Sequence, residues 1–111
     1  MLTSYEKLSV IQRTGEQFGT VTNLVEKSQM HDKAKVFARI TLHPGSKVKL
    51  HQHVGRFEVI YILAGIGMVN DNGNIQQIKA GDVIFTDVGE SHAIENVGDV
   101  DLEYIALVIY T

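Results

Sequence analysis

Residues 45–65 read GSKVKLHQHVGRFEVIYILAG, and this stretch carries the strongest indications of both fold and function. Two apolar runs flank a short turn around Gly55, as in a β-hairpin. His51 and His53 lie one residue apart in the first run, so the two-residue period of a strand points both imidazoles from one face. Glu58 begins the second run, where its carboxylate can stand beside them. The hairpin therefore predicts three side chains able to share one metal ion.

From residue 36 onward the chain reads as short runs of β-branched and aromatic residues separated by Gly, Asn and Asp. Their spacing of about 8–12 residues is typical of a β-sandwich or β-barrel. Asn72-Gly73 supplies the positive φ angles of a tight hairpin, and Pro44-Gly45 predicts a second turn. The predicted strands are residues 36–42, 47–53, 58–63, 67–70, 75–78, 82–86, 91–96 and 102–110. We predict an all-β protein.

The composition limits the number of domains and the classes of partner. A chain of 111 residues with 44% hydrophobic and 21% charged residues is expected to form one globular domain over residues 1–111. A net charge of −3, without a basic run, disfavours nucleic acid and membrane surfaces as partners. Because the chain has no cysteine, any metal must be bound by nitrogen and oxygen atoms. No signal peptide or long apolar run is recognisable, so we expect a cytoplasmic protein.

The two ends of the chain give weaker indications. Residues 1–35 are less periodic and are interpreted as an N-terminal arm, in which residues 20–26 form an extra strand that either pairs across a subunit boundary or closes the barrel. The final run, residues 102–110, is apolar on both faces after its first two residues, whereas a surface strand alternates apolar and polar residues. Its second face must pack on another sheet or lie in a subunit interface. We therefore expect a homodimer.

A fourth candidate ligand, His92, begins a later predicted strand 34 positions beyond Glu58. In a closed barrel an inward side chain from that strand can complete the set begun by the hairpin. An isolated histidine is more often a surface residue or a core residue with satisfied hydrogen bonds, and we assign His31 and His43 to that class.

The spacing of these residues resembles the two motifs of the cupin family. Gly45, five residues, His51, Gln52, His53, four residues, Glu58, six residues and Gly65 match the first motif without substitution. The second motif is matched by Gly81, five residues, Asp87, Val88, Gly89, two residues, His92, three residues and Asn96. Asp87 stands where the family usually has proline, and its side chain can form the same turn by a hydrogen bond to the backbone. The resemblance covers residues 36–108 and implies a double-stranded β-helix, the jelly-roll barrel of a small single-domain cupin.

The resemblance also implies one divalent metal ion held by His51, His53, Glu58 and His92. Three imidazoles and a carboxylate suit Fe, Mn, Ni, Co or Zn, and ligand type does not choose among them. On a six-coordinate ion these ligands leave two positions, which a small substrate with adjacent oxygen atoms can occupy. Cupins with metals include dioxygenases, decarboxylases, isomerases and lyases as well as proteins without turnover, so fold analogy does not decide the reaction.

Four other residues are candidates for contacts with a substrate. Arg56 and Glu90 lie in turns beside ligand-bearing strands, where Arg56 can bind a carboxylate; the alternative for both is a solvated loop charge. Arg39 is a second cation that would need an anionic partner if it pointed into the barrel. Tyr104 is either an inward phenol or a core or interface aromatic residue. Strand parity predicts that Tyr61 faces away from the metal.

Two hypotheses follow for the function. The first is a metal-dependent enzyme acting on a small oxygen-rich acid, sugar or diketone, and is favoured because the chain has no segment that would transmit a signal. The second is a non-catalytic module that binds or senses a small ligand through the same ion. A purely structural ion would usually have its coordination closed by the protein.

Overall fold

The computed structural model describes residues 1–111, which form ten β-strands and two short 3₁₀ turns. The strands are β1 (Val10–Arg13), β2 (Gly19–Asn23), β3 (Ala34–Leu42), β4 (Lys47–Gln52), β5 (Arg56–Ala64), β6 (Ile66–Asp71), β7 (Asn74–Lys79), β8 (Val83–Thr86), β9 (Ser91–Glu95) and β10 (Leu102–Tyr110). The 3₁₀ turns are Tyr5–Lys7 and Lys27–Met30. All eight predicted strands are confirmed, each with ends within two residues. No helical segment has the length and apolar character needed to cross a membrane.

The strands form two antiparallel sheets. One sheet has six strands in the order β1-β2-β3-β10-β5-β8, and the other has four in the order β4-β9-β6-β7. Consecutive strands from β3 onward therefore alternate repeatedly between the sheets, which is the double-stranded β-helix, or jelly roll, that the sequence predicts. The closely spaced turns and the period-two alternation of apolar residues account for this arrangement, since each strand has one face to bury.

The hydrophobic core lies between the two sheets. Alternate residues of β5 and β10 point inward, so their side chains meet those of the opposite sheet. The core cluster consists of Leu42, Ile60, Ile62, Val69, Ile78, Ile84, Ile94, Leu102, Tyr104 and Ala106. Glu58 has the same parity as Ile60 and Ile62, and it is buried with them. The alternation that builds the core therefore also carries a carboxyl group into the interior.

The N-terminal arm extends the six-stranded sheet. The extra strand predicted within residues 20–26 is confirmed as β2, which pairs with β3 of the same chain through contacts such as Val21 with Ile40. The sequence did not predict β1, which pairs with β2 and has four exposed residues. An exposed strand at a sheet edge has no buried face, so it lacks the periodic pattern that would reveal it.

The predicted turns are confirmed in detail. Asn72 and Gly73 both have positive φ and form the β6–β7 hairpin, and the Ser46 amide donates to the His43 carbonyl across the Pro44-Gly45 turn. The Asp87 carboxylate accepts a hydrogen bond of 2.7 Å from the Val88 amide. Asp87 therefore forms its turn without the usual proline.

An apolar surface covers the side of the six-stranded sheet that faces away from the core. Neighbouring positions in β10, β5 and β8 carry apolar side chains in register, and Tyr61, Val83 and Phe85 are 47%, 63% and 52% exposed. We call this surface the outer apolar face; it consists of Phe57, Val59, Tyr61, Val83, Phe85, Ile105, Leu107 and Ile109. Tyr61 faces away from the four predicted ligands, as its parity predicted.

Substitution of Gly65 by alanine should destabilise the barrel more than the same change at Gly81. Both glycines have φ near +90°, which costs an L-residue about 1–2 kcal/mol. A β-carbon at Gly65 would also collide with the Asp101 carbonyl and lie 2.8 Å from the Leu102 Cα, whereas Gly81 has no atom within 4 Å of that position. We expect Gly65→Ala to lower the free energy of unfolding by about 1–3 kcal/mol more than Gly81→Ala in urea titrations. Equal losses would show that this collision is relieved without cost.

Candidate metal centre

Strands β4, β5 and β9 bring the four predicted ligands together between the sheets. His51 on β4 and His92 on β9 are cross-strand partners, while Glu58 reaches them from β5 in the opposite sheet. His53 lies just beyond the end of β4. The predicted hairpin around Gly55 is therefore wrong, because β4 and β5 lie in different sheets and do not pair. The site depends on the packing of one sheet against the other.

The position of His53 is fixed by the turn at residues 87–90. Its amide donates to the Glu90 carbonyl at 2.9 Å, and its carbonyl accepts from the Gly89 amide at 2.7 Å. These two backbone hydrogen bonds continue the β4–β9 pairing past the formal end of the strand. The imidazole is thereby held beside those of His51 and His92.

The ligand atoms of the four side chains converge on one point. One oxygen or nitrogen from each lies within 4.8 Å of all the others. The Nε2 atoms of His51 and His53 are 3.1 Å apart. Glu58 Oε1 is 3.4 Å from His53 Nε2 and 3.3 Å from His92 Nε2. The three histidines and the glutamate predicted from their spacing thus form a cluster that could hold a metal ion.

Hydrogen bonds on the far side of two rings support this interpretation. His51 Nδ1 lies 2.7 Å from the Lys49 carbonyl, which can only accept, so in the neutral ring Nε2 carries a lone pair. His92 Nδ1 is 2.7 Å from the Thr86 hydroxyl. The Nε2 lone pair of His51 lies 3.1 Å from His53 Nε2, and this contact between two nitrogen atoms requires a proton or a cation between them. The donor set fits a divalent metal ion.

Burial shifts the pKa values of the cluster toward the neutral form of each side chain. It raises the pKa of Glu58 to about 7, with the Arg56 guanidinium opposing the rise. Burial, assisted by the charges of His51 and His53, lowers the pKa of His92 to about 3. Burial likewise lowers the pKa of His53. Two of the histidines therefore stay neutral, the form that binds metals, at any pH near neutrality.

Comparison with known proteins assigns the family. The cupin domain model, Cupin_2, matches residues 38–110. The chain belongs to the cupin family. Among curated proteins, the oxalate-binding protein of Thermotoga maritima is 54% identical over 97 residues, covering 87% of this chain and 80% of that protein. A mannose-1-phosphate guanylyltransferase of Klebsiella pneumoniae is 35% identical over 69 residues, but this cupin matches only 15% of its length.

Solved structures give the same assignment. The crystal structure of a predicted oxalate decarboxylase from Thermotoga maritima superposes with a TM-score of 0.91 at 46% identity and covers 100% of both chains. The cupin domain of Schizosaccharomyces pombe Cnp3 superposes with a TM-score of 0.77 at 14% identity, covering 97% of this chain and 72% of that one. The second comparison shows the shared fold alone.

A cavity of about 590 Å³ opens from the ligand cluster of this cupin toward solvent. Three ligand residues line it together with apolar side chains of both sheets and polar residues of β4 and of the loop before β2. The lining residues are Glu16, Gln17, Ile40, Lys47, Val48, Lys49, His51, Glu58, Ile60, His92, Ile94 and Tyr104. The buried part of the lining therefore combines the ligand residues with apolar side chains, and the exposed part is polar.

The structure places Arg39 outside the barrel. It faces the same way as Ile105 on the outer side of the six-stranded sheet, and its guanidinium pairs with Glu103 at 3.2 Å. It also stacks 5.3 Å from the centre of the Tyr5 ring. The interior position considered for Arg39 is wrong, because Ala38 and Ile40 take the inward parity of β3.

The two turn residues, Arg56 and Glu90, are near the cluster but do not line the cavity. Arg56 is close enough to lower the pKa values of Glu58 and His53. The Glu90 carboxylate accepts a hydrogen bond of 2.8 Å from the Asp87 amide. Its side chain therefore stabilises the turn that holds His53.

Tyr104 is the inward phenol that the sequence allowed. It is 3% exposed and lines the cavity beside Glu58 and His92. Burial, followed by the nearby negative charge of Glu58, raises the pKa of its hydroxyl, which remains protonated near neutrality. Tyr104 thus offers a hydrogen-bond donor inside an otherwise apolar wall.

Four polar residues at the solvent end of the cavity were missed by the sequence interpretation: Glu16, Gln17, Lys47 and Lys49. The first two belong to the loop between β1 and β2, where the Glu16 carbonyl accepts from the Lys47 amide at 2.8 Å. No motif marks this loop, and its approach to the site depends on long-range pairing of the N-terminal arm.

Metal affinity should fall as pH is lowered below 7. Since the pKa of Glu58 is raised to about 7, a proton competes with the metal for its carboxylate below that pH. We expect the association constant to drop at least about tenfold per pH unit below pH 7 and to level off above it, because one proton is displaced. Chelator competition between pH 5.5 and 8 measures this. Affinity that is constant over this range would contradict the assignment of Glu58 as a ligand.

Proposed function

We propose that this cupin binds one divalent metal ion through His51, His53, Glu58 and His92 and uses it to hold oxalate or a similar small dicarboxylate. The observation that carries the proposal is the convergence of four ligand atoms at the inner end of a solvent-accessible cavity. Fe, Mn, Ni, Co and Zn all suit three imidazoles and one carboxylate. Such an ion supplies positive charge and open coordination positions for an anionic ligand.

The side chains around the cluster suit a small anion with adjacent oxygens. Ile40, Ile60 and Ile94 form apolar walls that offer no competing ligand for the ion. The Tyr104 hydroxyl is a donor in the same cavity, and its raised pKa keeps the proton in place. A ligand oxygen beside Glu58 can therefore accept a hydrogen bond from Tyr104. Low exposure of these groups strengthens such a bond.

The choice of oxalate is supported by the relatives. A curated protein that is 54% identical is named as oxalate-binding, and a solved structure at 46% identity is described as a predicted oxalate decarboxylase. The first covers 87% of the chain and the second covers all of it. Both descriptions concern oxalate, and both functions require that oxalate is bound.

Turnover of the same ligand is a second candidate function. The specific observation in its favour is the open cavity, because a purely structural ion would normally be enclosed by protein ligands. In this case the cavity residues would have to supply the protons that an oxalate-cleaving reaction needs. Formate and carbon dioxide would be the products of decarboxylation, and their appearance with metal-loaded protein distinguishes turnover from binding.

Oxalate binding should require the metal and Glu58. Protein purified without a histidine tag is expected to retain about one equivalent of metal by elemental mass spectrometry and to bind oxalate in calorimetry. Glu58→Gln should lose both. Tyr104→Phe should keep the metal and bind oxalate about three- to tenfold more weakly, since one hydrogen bond is removed. A wild-type protein that holds metal but does not bind oxalate would refute the ligand, and one that never holds metal would refute the site.

We also propose that two copies of the chain associate through the outer apolar face. Phe57 and Phe85 pack with ring centres 5.9 Å apart, next to the exposed Tyr61 and Val83. The patch spans three adjacent strands and contains no charged residue, and aromatic residues without charges are typical of the centre of a subunit interface. A second copy presents the same patch, so a dimer with two-fold symmetry buries both outer apolar faces in one interface.

Phe85→Lys should convert the dimer to a monomer. Phe85 lies on β8, the edge strand of the outer apolar face, and a lysine there would have to be desolvated in both copies on association, which burial disfavours. Ile75→Lys is the matched control, because Ile75 is 62% exposed but lies on the four-stranded sheet. Sedimentation velocity should show a dimer for the wild type and the control. A monomeric wild type at micromolar concentration would contradict the proposal.

A further inference from the structure

The solvent end of the cavity contains a cation whose charge has no partner. Lys47 and Lys49 both line this end. The Lys47 ammonium lies 3.8 Å from the Glu95 carboxylate, whereas Lys49 has no carboxylate within 4.0 Å. The cavity lining includes no arginine. Lys49 is therefore the positive side chain at this site that remains available to a ligand.

An irregularity in β4 places Lys49 next to the metal ligands. In the pairing with β9, Val48 lies opposite Ile94 and His51 opposite His92, so β4 has one more residue than its partner over this interval. Such a β-bulge changes the direction of the side chains within it. The Lys49 carbonyl also accepts the hydrogen bond from His51 Nδ1. The bulge thus supports a metal ligand through its backbone and presents a cation through its side chain.

The charges of the proposed complex indicate what this cation does. A divalent ion with the Glu58 carboxylate retains one positive charge, which balances a monoanion but leaves a dianion such as oxalate with one negative charge uncompensated. An uncompensated charge within a partly desolvated cavity is unfavourable. Lys49 adds a positive charge at the end of the cavity where the ligand meets solvent, while the exposed Glu16 carboxylate at the same end acts in the opposite direction.

We propose that Lys49 is a specificity-determining residue that makes this cupin prefer dianionic over monoanionic chelating ligands. The inference rests on the proposed function, because it concerns a ligand held at the metal site. Lys49 is exposed, so its contribution is moderate and decreases with added salt. The selection is electrostatic, and arginine at the same position preserves it.

The test compares oxalate with glycolate, a chelating monoanion, by calorimetry on metal-loaded protein. Lys49→Met should weaken oxalate binding about fivefold at low ionic strength and leave glycolate binding within about twofold, since the lysine balances only the second charge. Lys49→Glu should lower the ratio of the two affinities further, and Lys49→Arg should restore it. Lys79→Met is the matched control, because Lys79 pairs with Asp82 at 3.7 Å and does not line the cavity.

Each outcome bears on the inference. An unchanged affinity ratio in Lys49→Met, or an equal loss for both ligands, overturns the role of Lys49 while leaving the metal site and oxalate binding intact. The same change in Lys79→Met shows that net charge alone sets the preference and also overturns it. Metal-loaded wild type that binds neither ligand refutes the proposed function itself, a result recognised before any Lys49 variant is measured.

Discussion

The charge on Glu58 is the constraint on which the rest of the structure depends. Glu58 occupies an inward position of β5, so the alternation that buries Ile60 and Ile62 also buries a carboxyl group. A carboxylate there is costly when it is alone, and the pKa of about 7 reflects that cost. The facing imidazoles do not neutralise it, because burial disfavours their protonated forms as well. A divalent cation would satisfy the carboxylate and the nitrogen lone pairs together, and the side chains facing Glu58 do not provide that charge themselves.

The two-sheet architecture determines the positions of the four ligand side chains. His51 and His92 are placed by strand pairing, His53 by backbone hydrogen bonds to the turn at residues 87–90, and Glu58 by the packing of one sheet on the other. The rings of His51 and His92 are further oriented by a carbonyl and a hydroxyl behind them. Ligands mounted on rigid strands and oriented in this way are held in position before the metal binds, which reduces the entropy lost on binding.

Much of this arrangement could be predicted from local sequence, and the failures have a common cause. The eight predicted strands follow from period-two alternation and turn residues, which act over short stretches. The convergence of the ligand side chains was predicted from the resemblance of their spacing to the two cupin motifs. The orientation of the Arg39 side chain was harder to predict. Phe37 and Ile40 make both faces of β3 apolar, so the sequence does not show which face points inward. The loop with Glu16 and Gln17 reaches the site by pairing of β2 with β3, and Lys49 reaches it through a bulge. Long-range pairing and register shifts leave no periodic signal in the sequence.

Of the two proposed functions, binding of oxalate makes fewer demands on the side chains of the cavity than turnover does. Cleavage of the carbon–carbon bond of oxalate to formate requires that a proton reach the new carbon–hydrogen bond, so an acid must stand beside the ligand. In the proposed complex Glu58 is a metal ligand, and the pKa of Tyr104 is raised, which makes its phenol a hydrogen-bond donor but a poor acid. The remaining carboxyl group of the cavity, Glu16, lies exposed on the loop before β2. Binding therefore requires only what the barrel already holds in place, whereas turnover would also require an exposed group of the cavity, such as Glu16 or the Lys49 ammonium, to deliver a proton to the ligand.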